Sequence, residues 1–178
     1  MSTQRNWVID PAHSNVAFKV KHLMISSVNG SFGLFKASAK TEGFNFATAL
    51  VNFVIFPKSI ETGSADRDNH LRSPDFFDVE KFPEITFNSE KIETVDEDTF
   101  VMTGGLIIKG ITKKVSLDVE FGGLMTDPQR NHKAGFSVKG KINRKDYGLN
   151  WNTALEAGGV LVGDDIEINA EVQFVLQP

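Results

Sequence analysis

The segment that decides the fold reads Ser64-Ala-Asp-Arg-Asp-Asn-His-Leu-Arg-Ser-Pro-Asp-Phe-Phe-Asp-Val-Glu-Lys-Phe82, and it is the only long break in a chain that otherwise alternates polar and apolar residues. Ser64 is a suitable N-cap, and Asp66 and Asp68 place negative charge in the first turn of a helix. Ser73-Pro74 is typical of the start of a second turn. The pattern predicts a short, broken helix whose apolar side chains must be buried, and we interpret the segment as the lid of a barrel.

Composition limits the classes of function. The 178 residues are expected to form a single domain, residues 1–178, and the formal charge of −4 argues against nucleic acid or an anionic membrane surface as the main partner. The chain contains no cysteine, which excludes disulfides and thiolate chemistry. It has no apolar run long enough for an integral membrane segment, and its N-terminus lacks the apolar core of an export signal. We therefore expect a cytoplasmic protein.

Apolar residues recur at every second position on both sides of the lid, which is the period of half-buried strands. The pattern predicts eight antiparallel strands, at about Val16–His22, Val28–Thr41, Thr48–Ile60, Glu84–Val95, Thr99–Lys109, Lys113–Leu124, Phe136–Arg144 and Ile166–Leu176. We interpret residues 7–14 as a lead-in without a strand, and the glycines at 30 and 33 as a bend or bulge. A two-sheet sandwich and a closed barrel both bury such strands, but closure also removes the sheet edges. The fold class is therefore expected to be all-β, an eight-stranded antiparallel up-and-down barrel with a short helical lid.

The interior of this barrel is expected to be apolar and partly empty. The chain has 15 phenylalanines against one tyrosine and two tryptophans, and phenylalanine adds apolar area without a polar group. Gly104, Gly140 and Ala170 fall in the inward phase of their strands, where such small side chains leave volume unfilled. Barrels of about eight strands either fill with side chains or hold one small ligand, and we predict an internal cavity.

The candidate ligand-binding residues form a wall and a mouth. The wall consists of apolar residues in the inward phase or in the lid: Phe18, Val20, Phe32, Phe53, Ile55, Phe76, Phe87, Met102, Leu106, Leu117, Val119, Phe136, Val138 and Ile142. The up-and-down order places five further candidates at one rim: His22, Arg67, His70, Arg144 and Trp151. An inward arginine needs an anionic partner, which is either a ligand head group or an internal carboxylate, Asp146 or Asp164. The charged residues of the lid either contact the ligand or pair with each other.

No catalytic or metal-binding constellation is visible. The four histidines, at 13, 22, 70 and 132, lack the close spacing of common metal sites, although a site assembled across strands stays open. Adjacent residues of an extended segment point to opposite faces, which separates His13 from Ser14 as a base and nucleophile. The sequence favours a non-enzymatic function without a cofactor.

A family resemblance rests on an ordered set of motifs along nearly the whole chain. They are Trp7-Val-Ile-Asp-Pro-Ala-His-Ser14, Val16-x-Phe18-x-Val20-Lys-His22, Thr62-Gly, Arg67-Asp-x-His70-Leu-Arg-Ser-x-Asp75-Phe-Phe, Phe82-Pro-x-Ile-Thr-Phe87, Gly105-Leu-x-Ile-Lys-Gly110, Asp127-Pro, Ala134-Gly-Phe136 and Asn143-Arg-Lys-Asp-Tyr-Gly-Leu-Asn-Trp151. This set resembles the YceI-like family of lipocalin-like, polyisoprenoid-binding proteins. The resemblance implies an internal site for a polyprenyl chain or isoprenoid quinone, no catalysis and a homodimer. Many relatives look periplasmic, in contrast to the location expected here.

Three functions remain in competition. The first is transport or storage of an isoprenoid lipid, with the tail inside the barrel and the head group at the rim. The second is an enzyme acting on a hydrophobic substrate with His22 or His70 as base. The third is a barrel filled by its own side chains that acts as a stress or interaction protein through its outer surface.

Overall fold

The architecture is known from a computed structural model, which describes residues 3–152 and 162–178. The described residues form eleven strands and one α-helix, α1 (Ala65–Arg72). The strands are β1 (Gln4–Ile9), β2 (Asn15–His22), β3 (Ser26–Phe32), β4 (Phe35–Glu42), β5 (Asn45–Ile55), β6 (Ile60–Glu61), β7 (Ile85–Thr94), β8 (Thr99–Ile108), β9 (Ile111–Thr126), β10 (His132–Asn143) and β11 (Val162–Leu176).

The sheet closes into an antiparallel barrel of eight strands. The closed order is β1-β4-β5-β7-β8-β9-β10-β11, and β11 pairs again with β1. The long strand β11 also pairs with β2. Its residue Phe174 lies opposite Ile9 of β1, and its residue Ala170 lies opposite Val16 of β2. Strands β1 and β2 therefore follow one another along β11 and share one position in the barrel wall. The predicted fold class, a closed up-and-down barrel with a short helical lid, is confirmed.

Three parts of the strand pattern predicted from the sequence differ in the structure. The predicted third strand, Thr48–Ile60, ends at Ile55, and a 3-10 turn at Pro57–Ser59 separates it from β6. The segment interpreted as a lead-in contains β1, in which Trp7 and Ile9 are almost fully buried inside the barrel. The predicted second strand is split into β3 and β4 at Gly33 and Leu34. At this break the Leu34 amide donates to the Ser59 hydroxyl, and the Leu34 carbonyl accepts a hydrogen bond from the Phe56 amide. The break lets the wall change direction where the lid segment joins it.

The inward faces of the strands form a continuous apolar core. In β8 the residues Met102, Leu106 and Ile108 are buried, while their neighbours are only half buried. In β11 the buried residues Ala170, Val172 and Phe174 alternate with more exposed ones. This alternation is the two-residue period expected of a sheet with one face in the core and one in water.

The antiparallel order gives the barrel two distinct ends. One end, here called the lid end, holds the β2–β3 turn, the lid segment 64–82, the β8–β9 turn and residues 144–152 after β10. The β4–β5, β7–β8 and β9–β10 turns lie at the other end, here called the far end, together with the start of β1. The lid segment and the residues predicted at one rim therefore do share one end of the barrel.

The inward glycines do not leave the empty space that the sequence predicted. A Cβ on Gly104 would collide with the carbonyl oxygen of Asn88 and the ring of Phe87, because β7 has a bulge opposite this point. A Cβ on Gly140 would collide with the Leu117 side chain, which already fills that space. The glycines permit close contacts within the wall, and the remaining volume lies elsewhere.

The Gly104 contact gives a sharp stability prediction. We expect Gly104→Ala to lower the free energy of unfolding by about 3 kcal/mol, because the new methyl group meets backbone that cannot move aside. The adjacent Gly105→Ala is the control: its Cβ would meet only a Thr112 methyl group at an ordinary 3.4 Å. Urea unfolding measures both, and equal stability of the two variants would contradict the close approach.

Candidate functional site

The lid is fastened to the barrel by its own polar groups. Ser64 caps α1, as predicted, by accepting a hydrogen bond from the Arg67 amide. The buried Asp68 carboxylate accepts two hydrogen bonds from Thr62, and the Arg67 guanidinium donates to the hydroxyl and the carbonyl of the same Thr62. Arg72 donates to the carbonyls of Lys58 and Ile60. Asp68, Arg67 and Arg72 thus bond to Thr62 and to backbone carbonyls rather than to each other, and their contact with a ligand stays a prediction.

His70 lies at the junction between the lid and the segment after β10. Its Nε2 atom is 2.8 Å from a carboxylate oxygen of Asp75. Its ring stands edge-on against Trp151, with 4.6 Å between the ring centroids, and against Phe76 at 5.1 Å. This cluster of His70, Phe76 and Trp151 joins two segments that are far apart in sequence, so moving either segment requires the cluster to open.

Three apolar cavities follow one another along the barrel interior, with volumes of about 150 Å³ at the lid end, 110 Å³ in the middle and 80 Å³ at the far end. The lid forms part of the wall of the lid-end cavity with the side chains of Leu71, Phe76 and Phe77. The first and second cavities share Ile55, Leu106 and Ile168 among their lining residues, and the second and third share Phe53, Met102 and Val138. The cavities are therefore successive parts of one interior column, separated by side chains.

All but four of the sequence-predicted site residues line this column. The lid-end cavity takes Phe18, Val20, Phe32, Ile55, Phe76, Leu106, Ile142 and Arg144. The middle cavity adds Phe53, Phe87, Met102, Leu117 and Val138, and the far-end cavity adds Val119 and Phe136. The structure places these residues along one interior column, and their contact with a ligand stays a prediction.

The other four predicted residues lie outside the lining. His22 ends β2 opposite Val162, a residue of the lid-end cavity. Arg67 is held by Thr62, and His70 and Trp151 pack against each other and against Phe76. All four lie at the lid end, so the sequence placed them at the correct end of the barrel.

Arg144 has a different role from the one expected of an inward cation. It is almost fully buried, and its guanidinium donates hydrogen bonds to four backbone carbonyls, those of Leu149, Trp151, Val162 and Gly163. Asp164 approaches it only to 3.8 Å. Burial lowers the pKa of Arg144, and the charge of Asp164 opposes that shift. The expected anionic partner is thus replaced mainly by carbonyl dipoles, which fix the segment after β10 onto the start of β11.

Tyr147 is buried beside this arginine in the same turn. Its side chain is almost fully buried, and its hydroxyl has no hydrogen-bond partner among the described residues. Burial, assisted by the charge of Asp146, raises the pKa of Tyr147 to about 12. The phenol is therefore neutral at physiological pH and supplies no base to the site.

The far end is closed by an aromatic cluster that the sequence analysis only partly anticipated. Phe46 packs against Trp7, Phe121 and Phe136, with ring centroids 5.1 to 5.5 Å apart. Trp7, Phe46, Phe100 and Phe174 line the far-end cavity without having been named as candidates. The parity of β11 did point Phe174 inward, whereas Trp7 was missed because its segment was not interpreted as a strand.

His13 and Ser14 do not form a base–nucleophile pair, and the described residues contain no metal-binding cluster. The Ser14 hydroxyl donates to the Asp10 carbonyl rather than to His13, whose Nδ1 lies 2.8 Å from the Asp10 carboxylate. No group of three metal-binding side chains comes together within residues 3–152 and 162–178. Nor does this part of the chain contain a helix long and apolar enough to cross a membrane.

Comparison with known proteins identifies the family. The family model for the YceI-like domain matches residues 7–174. This chain belongs to the YceI-like family. A UPF0312 protein from Staphylococcus aureus is 42% identical over 170 residues, which cover 95% of this chain and 96% of the relative.

Solved structures of YceI-like barrels superimpose on the present fold. The Campylobacter jejuni YceI protein is 36% identical with a TM-score of 0.77, covering 95% of this chain and 96% of that one. A polyisoprenoid-binding domain from Saccharophagus degradans, implicated in plant cell wall breakdown, is 14% identical with a TM-score of 0.70, covering 96% and 98%. At that identity the likeness concerns the fold alone.

Proposed function

We propose that this YceI-like protein binds an isoprenoid lipid, a polyprenyl chain or an isoprenoid quinone, with the tail along the interior column and the head group at the lid end. The observation that best supports this proposal is the apolar interior column. Among the described residues, the lining of its three cavities includes one charged side chain, Arg144. That guanidinium is already occupied by backbone carbonyls. Such an interior accepts an apolar chain and offers a charged ligand little to bind.

The lid end is the end through which the tail enters. It holds the largest of the three interior cavities and is covered by a segment whose apolar residues, Leu71, Phe76 and Phe77, form one wall of that cavity. The far end is filled by the aromatic cluster around Phe46. Moving the lid opens the column directly, whereas opening the far end requires several packed rings to separate.

We infer from the cavity volumes how the barrel accommodates the tail. A cavity of about 150 Å³ holds a group the size of benzene. Each part of the column thus suits a short branched segment of a chain, and a longer tail requires the side chains between the parts to rotate. Met102 lies between the middle and far-end cavities, and its flexible side chain is suited to that movement. Each buried methylene contributes about 0.8 kcal/mol, so one five-carbon unit contributes roughly 4 kcal/mol before association costs.

The small volume of each cavity favours the competing interpretation, a barrel filled by its own side chains. The two interpretations differ in one observable, which is whether an added isoprenoid reaches the far-end cavity. The residues from Ile166 to Phe174 span roughly 20 Å along the barrel axis, at about 3.4 Å per residue and a strand tilt of about 40°. A ligand held at the lid end and one that fills the column are therefore easily distinguished.

The two tryptophans of the chain measure this depth. Trp7 lines the far-end cavity and Trp151 belongs to the lid cluster, so Trp151→Phe and Trp7→Phe proteins each report on one end. We expect an isoprenoid with bromine at the end of its tail to quench Trp7 fluorescence in the Trp151→Phe protein, saturating at one ligand per barrel. A saturable signal from Trp151 with no change at Trp7 would show a ligand confined to the rim. No quenching at either position would support the filled barrel.

A further inference from the structure

The turn between β2 and β3 presents three consecutive apolar side chains to solvent. Leu23, Met24 and Ile25 are 38%, 62% and 85% exposed. Leu23 and Met24 adopt left-handed backbone conformations, with φ of 54° and 61°, which Asn and Gly adopt far more readily than Leu or Met. Neither the turn geometry nor internal packing accounts for these residue types. An apolar group on a projecting turn of this kind points to contact with something outside the barrel.

The strands that carry this turn are positively charged in a chain that is negatively charged as a whole. Residues 11–41 contain no aspartate or glutamate, whereas the full chain has a formal charge of −4. Lys19 and Lys21 are exposed on β2, and no salt bridge to either is found within the described residues. Glu167 lies opposite Lys19 on β11, and Lys21 lies opposite the bulge that carries Asp164 and Asp165. The two aspartates contact other cations, Asp164 with Arg144 and Lys145 and Asp165 with Lys141. Cationic side chains behind an apolar tip complement an anionic phospholipid surface.

The turn lies beside the part of the barrel through which the tail enters. Val20, three residues before Leu23, lines the lid-end cavity, and His22 is paired with Val162 of the same lining. A membrane contacted by the turn would therefore face the rim of the interior column. This position links the turn to the exchange of a lipid between a bilayer and the barrel.

We propose that the Leu23–Ile25 turn inserts into the surface of an anionic phospholipid bilayer, with Lys19 and Lys21 beside the phosphate groups, so that the lid end faces the membrane. The role of this contact in lipid exchange rests on the proposed function, but the contact itself does not. The negative charge of the whole chain argued against such a surface as main partner, and the charge distribution in β2 and β3 now localises the contact to one hairpin.

Flotation with vesicles tests the contact. We expect the protein to float with phosphatidylcholine vesicles that contain phosphatidylglycerol, and less with phosphatidylcholine alone. The double variant Met24→Ser/Ile25→Ser is expected to bind at least about tenfold more weakly, because two apolar side chains no longer enter the bilayer. Lys19→Gln/Lys21→Gln is expected to lose about tenfold and much of the salt dependence. Met125→Ser is the matched control, since Met125 is 73% exposed in the far-end part of the barrel and should not contribute.

A second readout uses the absence of cysteine from the chain. An environment-sensitive dye on Ile25→Cys should shift to the blue when anionic vesicles are added, and the same dye on Met125→Cys should not. Equal behaviour of the two labelled positions, or no flotation of the unaltered protein, would overturn the proposal. A dimer that dissociates in the Met24→Ser/Ile25→Ser variant, without vesicle binding by either protein, would assign the turn to a second copy of this chain.

Isoprenoid binding in detergent separates the two proposals. If the unaltered protein binds the lipid in detergent but ignores vesicles, only the membrane contact fails. If it floats with vesicles but binds no isoprenoid, the membrane contact stands and the proposed function fails.

Discussion

Replacing Arg144 with methionine is expected to lower the free energy of unfolding by about 4 kcal/mol. The substitution keeps most of the buried apolar stem but removes the guanidinium donor from the carbonyls of Leu149, Trp151 and Gly163. The Val162 carbonyl loses its Arg144 bond but keeps the one from the Asn152 side-chain amide. A buried polar group that loses its partner costs about 1 to 3 kcal/mol, and some of these carbonyls will find water when the segment loosens. Arg144→Lys should recover only part of the loss, because an ammonium group cannot reproduce the planar set of donors.

The neighbouring Lys145→Met is the control for this change. Lys145 is half exposed and contacts Asp164 at 3.4 Å, a surface pair that contributes little, so we expect a change within about 0.5 kcal/mol. Urea unfolding without ligand compares the three variants with the unaltered protein. An Arg144→Met protein of normal stability that fails to bind an anionic isoprenoid would contradict the structural role and restore the head-group contact predicted from the sequence.

Replacing Ala170 with leucine is expected to weaken isoprenoid binding by at least about a hundredfold while raising stability by about 1 kcal/mol. Ala170 lines the middle cavity of about 110 Å³, opposite Val138 and Val16 on the neighbouring strands. A leucine there fills space that the tail would otherwise occupy. Excluding one five-carbon unit removes roughly 4 kcal/mol of burial, which exceeds the 2.8 kcal/mol or so that corresponds to a hundredfold. Filling a cavity with apolar atoms commonly stabilises a protein by a comparable small amount.

Asn169→Leu provides the matched control, because Asn169 is exposed on the outer face of the same strand. Both variants add a leucine to β11, but only one adds it to the column. Isoprenoid affinity and thermal unfolding are measured on both. Unchanged affinity in a folded Ala170→Leu protein would show that the ligand does not pass through the middle of the barrel.

The barrel and most of its lining follow from the alternation of residues along the strands. Residues such as Phe18, Leu106 and Val138 could be assigned to the interior because a strand with one buried face turns alternate side chains inward. The capped helix of the lid was equally predictable, since the signals at Ser64, Asp66 and Asp68 lie within one turn. These features depend on local patterns, which a single sequence records directly.

The features that the sequence did not reveal depend on contacts between distant segments. Trp7 lies in a short strand whose inward side becomes clear only when β11 is seen to pair with both β1 and β2. The space beside Gly140 is filled by Leu117 from the neighbouring strand, which composition does not show. The carbonyl partners of Arg144 belong to a turn and to the start of β11, so the sequence suggested a ligand head group or an internal carboxylate instead. Of the two carboxylates named, Asp164 lies 3.8 Å from the guanidinium.

The proposed function depends above all on a lipid occupying the interior of the barrel. Mass spectrometry of the intact protein under native conditions, together with analysis of its organic extract, measures this directly. We expect one polyprenyl lipid or isoprenoid quinone per chain, either retained through purification or taken up when added, and lost in the Ala170→Leu variant. A protein that contains no lipid and takes up none from added isoprenoids would contradict the central claim and favour a barrel filled by its own side chains.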